Sequence, residues 1–408
     1  MTAKGISLDV AALARKYRDR CLTPSALVEI LIERLTCEPD PAIWISRVGD
    51  ESLRARAAAL EARGPAGLAL FGVPFAVKDN IDVAGWPTTA ACPGFAYLPE
   101  TTAPAVQRLL DAGAILVGKT NLDQFATGLT GTRSPYGTVA NAFDTAYISG
   151  GSSSGSAVAV AKGLVSFALG TDTAGSGRVP AALGNLIGLK PSRGRISTRG
   201  VLPACRSLDC VSVFALTCAD AAAVLDVIGG FDPADPYSRA FPAAAYACQA
   251  SFRLGVPRPE QREFFGDTAS AAAFERAVAA LAALGGEAVE VDYAPLHEAA
   301  QLLYGGPWLA ERHLTIRELL NGRPDAVLPV VREIISAGAR FSAADAFVGQ
   351  YRLRALRQAL RPLWDEIDFL VTPTIPTVYT RAEALADPVR LNDRLGYYTN
   401  HMNLLDLC

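Results

Sequence analysis

The apolar residues of the chain change their spacing near residue 70. Before that point they recur at helical intervals, and Leu27, Leu31 and Leu35 lie on one face of a helix that Thr23-Pro24 is expected to open as N-cap and first helical residue. A short apolar run at 43–45 predicts a strand, and another helix is expected over 52–63. Residues 1–65 are therefore predicted to form an N-terminal helical segment packed on the rest of the protein.

Beyond Phe71, short apolar runs alternate with helical stretches and glycine-rich turns. The pattern predicts strands at 75–77, 114–117, 166–169, 253–256, 288–291 and 369–371, and helices at 105–111, 270–284, around 334, and at 352–364. This alternation is typical of an α/β sheet with at least partly parallel strands. The one plausible boundary, 230–250, is interpreted as a surface excursion, so residues 66–408 are predicted to form a single domain.

Composition and charge narrow the possible functions. Half of the residues are hydrophobic and 19% are charged, which is typical of a compact globular protein. A net charge of −3 argues against nucleic acid or an anionic membrane as a partner. The longest apolar stretch, 157–169, is too short for a membrane span, and the start of the chain lacks the apolar run of a signal peptide. We therefore expect a cytoplasmic protein.

The cysteine pattern bears on metals and redox compartment. The eight cysteines contain no C-x-x-C pair, so most of them are expected to be small core residues in a reducing compartment. No group of His, Cys, Asp or Glu has metal-ligand spacing. Neither a metal nor another cofactor is predicted.

Two short motifs match known patterns without the context that those patterns need. The segment 113–120 matches the phosphate-binding loop, but its interior Ala-Ile-Leu-Val is typical of a buried strand, so a nucleotide-binding module remains a remote alternative. The segment 151–155 matches the G-x-S-x-G elbow, whose serine needs a histidine base. His297, His313 and His401 lie in no recognisable triad context.

Candidate chemistry is concentrated in three segments, namely 72–80 (GVPFAVKDN), 150–156 (GGSSSGS) and 170–180 (GTDTAGSGRVP). Lys78 directly follows the apolar run 75–77, as if at the end of a buried strand. Burial lowers the pKa of a lysine because desolvation disfavours the charged form. A neutral lysine can act as the general base that a histidine-poor hydrolase needs.

These three segments resemble the amidase signature family, and the resemblance extends from about Phe71 to Leu407. The spacing agrees, with 74 residues from Lys78 to Ser152 and 24 from Ser152 to Ser176. The resemblance implies a mixed twisted β-sheet core covered by helices on both faces. It also implies a Ser-Ser-Lys mechanism, in which Ser176 is the nucleophile, Ser152 the bridging serine after a cis peptide bond, and Lys78 the base.

The same resemblance implies roles for the loop around the nucleophile. The backbone N–H groups of Thr173, Ala174, Gly175 and Ser176 would form the oxyanion hole. Asp172 and Arg178 match positions that we interpret as supporting structure. The family pattern normally continues beyond the last residues of this chain, so residues 66–408 are interpreted as an amidase signature domain that lacks its usual C-terminal continuation.

Four further segments, 119–128, 131–137, 174–178 and 206–210, resemble the allophanate hydrolase branch of the family. This implies hydrolysis of allophanate, a small urea derivative with one carboxylate, and release of ammonia in urea or cyanuric acid nitrogen catabolism. Gly128, Tyr304 and Arg312 match the substrate-binding positions, and the planar fork of an arginine suits a carboxylate. Alternatively, Arg312 is a structural residue paired with Glu311.

Two other members of the family remain alternatives. One is the glutaminase subunit of glutamyl-tRNA amidotransferase, and the other is a general aliphatic amidase. In each case the substrate is a small-molecule amide, and a homodimer is expected.

Overall fold

A six-stranded mixed sheet forms the centre of the structure, a computed structural model that describes residues 6–242 and 251–408. Its strands are β1 (Trp44–Arg47), β2 (Pro74–Lys78), β3 (Ile115–Thr120), β4 (Phe167–Asp172), β5 (Ile187–Leu189) and β6 (Cys210–Ala215). They lie in the order β1-β3-β2-β4-β6-β5. Strand β2 is parallel to both β3 and β4, whereas β1, β5 and β6 run antiparallel to their neighbours. The predicted sheet with partly parallel strands is confirmed.

Helices cover both faces of this sheet. Those nearest to it are α4 (Pro104–Asp111), α5 (Ser154–Ala161), α6 (Val179–Leu183) and α7 (Cys218–Ile228). Successive residues of a strand point to opposite faces. Phe75 and Val77 of β2 accordingly pack in a cluster with α4 and α7, while Ala76 packs in a cluster with α5. Strand β2 is buried on both faces, which explains its unbroken apolar sequence before Lys78.

Parallel pairing brings the carboxyl ends of β2 and β4 to the same edge of the sheet. Phe75 lies opposite Phe167, and their rings stack with centroids 5.4 Å apart. Val77 lies opposite Leu169, so Lys78 ends β2 beside the last residues of β4. The loop that follows β4 therefore starts close to the side chain of Lys78.

The structure has three helices in the N-terminal segment, α1 (Val10–Arg18), α2 (Pro24–Cys37) and α3 (Asp50–Arg63). The last two are the helices that the sequence predicted. The Thr23 side chain caps α2 by accepting a hydrogen bond from the backbone N–H of Ala26 at 3.2 Å. Helix α3 starts two residues earlier than predicted, because Asp50 and Glu51 occupy its first turn, where acidic side chains are favoured. Both α2 and α3 pack against Ile115 of β3.

The second half of the chain forms a separate three-stranded parallel sheet and most of the remaining helices. The strands are β7 (Phe252–Pro257), β8 (Gly286–Val291) and β9 (Phe369–Leu370), in the order β8-β7-β9. The helices are α8 (Thr268–Ala283), α9 (Ala294–Gly305), α10 (Trp308–Gly322), α11 (Pro329–Ser336), α12 (Ala343–Ala359), α13 (Leu363–Glu366), α14 (Arg381–Ala386), α15 (Arg390–Leu395) and α16 (His401–Leu405).

Several elements differ from the prediction. Strand β6 and helix α5 were not predicted, because both are almost entirely buried and their sequences lack a polar face. Helix α7 was not predicted either, because its exposed face carries mainly small residues rather than charged ones. Helix α12 begins at Ala343 rather than near 352, after a capping box formed by Ser342 and Asp345. Part of the predicted excursion at 230–250 lies outside the described residues.

The prediction that most cysteines lie in the core was wrong for the cysteines in the described ranges. Cys92, Cys205 and Cys210 are buried, whereas Cys21, Cys37, Cys218 and Cys408 are exposed, and all seven are free.

Within residues 6–242 and 251–408, no helix is long and apolar enough to cross a membrane. No cluster of three or more His, Cys, Asp or Glu side chains in these ranges could hold a metal ion.

Candidate active site

Lys78 lies fully buried at the carboxyl end of β2. Its Nζ is 2.8 Å from the Ser152 hydroxyl oxygen and 2.8 Å from the hydroxyl oxygen of Thr171 on β4. Burial lowers the pKa of Lys78 to about 7, although nearby carboxylates act in the opposite direction. The amine is therefore poised to gain or lose a proton near neutral pH.

Ser152 is held by the loop that leads into α5. The Gly151–Ser152 peptide bond is cis, as the resemblance implies. A Cβ atom at Gly151 would lie 2.0 Å from Oδ2 of Asp123, so the close approach of Asp123 requires glycine there. The backbone N–H of Asp123 also donates to the Ser152 carbonyl at 3.0 Å. Asp123 thus fixes the backbone on both sides of this peptide bond.

Ser176 lies in the tight loop between β4 and α6. The loop is closed by Arg178, which forms an ion pair with Asp172 at 2.8 Å, while the backbone N–H of Gly177 donates to the same carboxylate at 2.9 Å. Ser176 is 3% exposed, and its hydroxyl makes no hydrogen bond within the described residues. Asp172 and Arg178 therefore have the supporting position that we expected for them.

Backbone donors of this loop are available to a ligand. In the described ranges, the N–H groups of Thr173, Ala174, Gly175 and Ser176 have no hydrogen-bond acceptor. Gly175 has a φ of +148°, and a Cβ atom there would lie 2.4 Å from Oγ1 of Thr399. Glycine is thus required for the turn that exposes these four donors.

A buried carboxylate that sequence reasoning missed anchors the start of this loop. Asp209 accepts a hydrogen bond from the Thr173 hydroxyl at 2.5 Å and others from the backbone N–H groups of Ala204 and Cys205. Burial raises the pKa of Asp209 to about 6. Asp209 belongs to the segment 206–210 that resembles the allophanate hydrolase branch, which was the available signal.

Arg312 lies buried in α10 and faces Tyr304, the penultimate residue of α9. Its Nη2 is 3.3 Å from the Tyr304 hydroxyl oxygen, and its guanidinium lies over the tyrosine ring, 5.2 Å from the centroid. The two helices are separate, because α9 ends at Gly305 and α10 begins only after Gly306-Pro307. Tyr304 and Arg312 therefore reach each other from two different helices.

Glu311 does not pair with Arg312. Its carboxylate accepts hydrogen bonds from the backbone N–H of Ser207 at 2.7 Å and from the Ser207 hydroxyl at 2.6 Å. Arg312 instead donates to Thr127, and its Nε is buried without a partner in the described part of the chain. The alternative pairing of Arg312 with Glu311 is therefore wrong.

Gly128 follows Thr127 and so lies next to Arg312. A Cβ atom at Gly128 would lie 2.5 Å from Oδ2 of Asp123, the same carboxylate that excludes a side chain at Gly151. Asp123 therefore links the Gly128 corner to the Ser152 peptide. The sequence did not predict this role of Asp123, because no motif spacing links Asp123 to Gly151 or Ser152.

The segment 113–120 is not a phosphate-binding loop. Residues 115–120 form β3, and Lys119 is fully buried in an ion pair with Asp79 at 2.9 Å. Its Nζ also donates to the Pro87 carbonyl and the Thr88 hydroxyl. The amine of Lys119 is thus fully occupied within the fold.

His401 and His297 contact residues other than the candidate serines. His401 is buried with Nδ1 3.4 Å from the Tyr293 hydroxyl, and burial lowers the pKa of His401 to about 3. His297 lies 3.4 Å from the side-chain amide of Gln301. The central serine of that motif, Ser153, donates its hydroxyl to the Thr171 carbonyl at 3.2 Å rather than to a histidine, so the G-x-S-x-G interpretation finds no support.

The sequence and the fold match known proteins over most of this chain. A family model described as Amidase matches residues 26–408. Urea amidolyase of Saccharomyces cerevisiae is 46% identical over 385 residues, which are 93% of this chain and 21% of that protein. Selenomethionine-substituted allophanate hydrolase of Kluyveromyces lactis has a TM-score of 0.91 at 44% identity, covering 99% of this chain and 66% of that one.

More distant relatives share the same fold and family. A glutamyl-tRNA(Gln) amidotransferase subunit of Deinococcus deserti is 34% identical over 416 residues, covering 95% of this chain and 85% of that protein. The mixed sheet and the helices on both of its faces agree with the fold expected from these matches. The chain belongs to the amidase family.

Proposed function

We propose that this chain is a serine amidohydrolase whose substrate is allophanate, a small linear amide with one carboxylate. The observation that carries the proposal is the contact between the buried amine of Lys78 and the hydroxyl of Ser152, next to the loop that holds Ser176. Similarity to urea amidolyase and to allophanate hydrolase supports this choice of substrate. The chain spans only 21% of the S. cerevisiae protein, so the proposal extends to no other activity of that protein.

The proposed reaction begins with proton transfer along the trio. Neutral Lys78 takes a proton from Ser152 as Ser152 takes one from Ser176, and the Ser176 oxygen attacks the amide carbonyl. The C–N bond then breaks, and the protonated lysine returns its proton through Ser152 to the leaving nitrogen, which departs as ammonia. Water hydrolyses the acyl-enzyme by the same proton path. From allophanate, the carbon product is N-carboxycarbamate.

The negative charge that develops on the carbonyl oxygen needs donors in place before the reaction. The N–H groups of Thr173, Ala174, Gly175 and Ser176 are proposed to supply them, since they have no acceptor in the described part of the chain. Removing one donor of this kind typically costs about 10²–10³ in kcat. Asp209, through the Thr173 hydroxyl, would hold the start of this loop in place.

The carboxylate end of the substrate is proposed to bind at Arg312, Tyr304 and the N–H of Gly128. Arg312 forms no ion pair in the described ranges, and its Nε is buried without a partner, so a bound carboxylate would complete its hydrogen bonding. A buried arginine is normally paired with an anion. An amide that lacks a carboxylate would leave this charge unpaired.

The alternative substrates can be separated in one assay. Ammonia release is measured from allophanate, malonamate, glutamine and an aryl amide under identical conditions. The proposal predicts that allophanate and its methylene analogue malonamate are turned over with much higher kcat/KM than the other two. A clear preference for glutamine would favour the glutaminase alternative, to which the similarity with the D. deserti amidotransferase also points.

A further inference from the structure

Thr127 lies between two buried arginines. Its hydroxyl oxygen accepts a hydrogen bond from Arg312 Nη1 at 3.1 Å, and its carbonyl oxygen accepts one from Arg133 Nη1 at 2.9 Å. Arg133 is 3% exposed and Arg312 is 2% exposed. Two guanidinium groups, which stay protonated in proteins, therefore meet at the residue that precedes Gly128.

Arg133 has no carboxylate bound to its guanidinium within the described ranges. Its Nη1 and Nη2 donate to the carbonyl oxygens of Thr127 and Pro388, and its Nε is buried without a partner. The nearby carboxylate of Asp123 accepts hydrogen bonds from backbone N–H groups instead, those of Gly131 and of Arg133 itself. The charges of Asp123 and Asp393 both act on Arg133, but neither carboxylate accepts a hydrogen bond from its guanidinium group in the described part of the chain.

The bond from Arg133 also fixes the direction of a backbone donor. The Thr127 carbonyl and the Gly128 N–H belong to one planar trans peptide, so they point in opposite directions. Holding the carbonyl with Arg133 therefore fixes the Gly128 N–H on the opposite side. That N–H has no acceptor among residues 6–242 and 251–408, so it is free to bind a ligand.

We propose that Arg133 is a positioning residue for the substrate carboxylate. It orients the Thr127–Gly128 peptide and adds a second positive charge beside Arg312, so that the preference for a carboxylate depends on both arginines. The inference rests on the proposed function and goes beyond it, because Arg133 acts through Thr127 rather than by touching the substrate.

A matched pair of substrates isolates the carboxylate. Malonamate carries an amide and a carboxylate separated by a methylene, and malonamide replaces the carboxylate with a neutral amide. In Arg133→Met, the ratio of kcat/KM for malonamate to that for malonamide is expected to fall about tenfold, mainly through KM, since a charge-assisted interaction is lost. Turnover of malonamide should change by less than about threefold.

Arg108→Met is the control, because Arg108 also donates to two backbone carbonyls, those of Ile228 and Gly229 at the end of α7. It should leave the substrate ratio unchanged. If Arg133→Met fails to fold, Arg133→Lys replaces it. The lysine keeps the charge but cannot hold both carbonyls in the geometry of a fork, so the ratio should fall by a smaller factor.

The outcomes separate this inference from the proposed function. If the unmodified protein does not prefer malonamate, the proposed substrate class is wrong, whatever Arg133 does. If it prefers malonamate and the Arg133 variant that folds keeps the full preference, Arg133 is not a positioning residue and the proposed function stands. Equal losses on both substrates would make Arg133 a purely structural residue and would also overturn the inference.

Discussion

The amine of Lys78 lies 2.8 Å from the hydroxyl oxygen of Ser152, and both side chains are completely buried. Lys78 ends a central strand, whereas Ser152 precedes a helix, so neither residue can move toward the other without moving the fold. This rigidity suits a proton path, because transfer requires heavy atoms within hydrogen-bond distance.

The first prediction concerns the trio. Ser176→Ala and Lys78→Ala should each reduce kcat by about 10⁴-fold or more, and Ser152→Ala should leave only a small residual activity. Residues that act as a unit are non-additive, so Ser152→Ala combined with Ser176→Ala should be little worse than Ser176→Ala alone. Steady-state ammonia release checks this.

Ser153→Ala is the matched control and should keep most of the activity, since the Ser153 hydroxyl bonds only the Thr171 carbonyl among the residues that the structure describes. Normal activity in a folded Ser176→Ala protein would contradict the assignment of the nucleophile.

The second prediction concerns pH. Lys78 must be neutral to accept a proton, and its pKa is about 7, so kcat/KM should fall about tenfold per pH unit below that value and level off above it. The negative charge of Asp209 favours the protonated form of Lys78. Asp209→Asn should therefore move the midpoint of the profile to lower pH. It should also lower kcat, because an amide offers one acceptor oxygen where the Asp209 carboxylate uses both of its oxygens to hold Thr173, Ala204 and Cys205.

The pH profile of kcat/KM, measured with a substrate that does not itself titrate in this range, checks both statements. A profile that stays flat from about pH 5 to about pH 9 would contradict a lysine base.

The third prediction concerns the substrate end. Arg312→Lys should lower kcat/KM for malonamate by about tenfold or more, because an ammonium cannot reproduce two parallel N–H bonds. Tyr304→Phe should cause a smaller loss of the same kind, since only one hydroxyl is removed. Malonamide should be much less affected by either change. Equal losses on the charged and the neutral substrate would make Arg312 a structural residue.

The fourth prediction concerns the packing around Asp123. Gly151→Ala would place a methyl group 2.0 Å from the Asp123 carboxylate, so it should destabilise the protein by about 1–3 kcal/mol and abolish activity. Gly322→Ala is the control, because a Cβ atom there would meet nothing within 4 Å. Thermal unfolding of both variants gives the comparison. An unchanged melting temperature in Gly151→Ala would mean that Asp123 does not pack as described.

The sequence alone was enough to identify the catalytic candidates and the type of fold. The unbroken apolar run before Lys78 indicated a buried strand, and the glycine- and serine-rich segments around Ser152 and Ser176 carried the family resemblance. The sequence did not predict β6 and α5. Both are buried on all sides, and such elements lack the alternation of polar and apolar residues from which strands and helices are predicted.

Only the tertiary structure decided which side chains meet. Asp123, Thr127 and Arg133 lie close together in the sequence, but Arg312 and Asp209 come from distant segments and reach the same site through the packing of α10 and the loop after β4. Whether Arg312 pairs with Glu311 could not be read from their adjacency, because neighbouring residues on a helix point in different directions. Sequence patterns record which residue types are buried, whereas the partner of each buried charge depends on long-range contacts that only the folded chain creates.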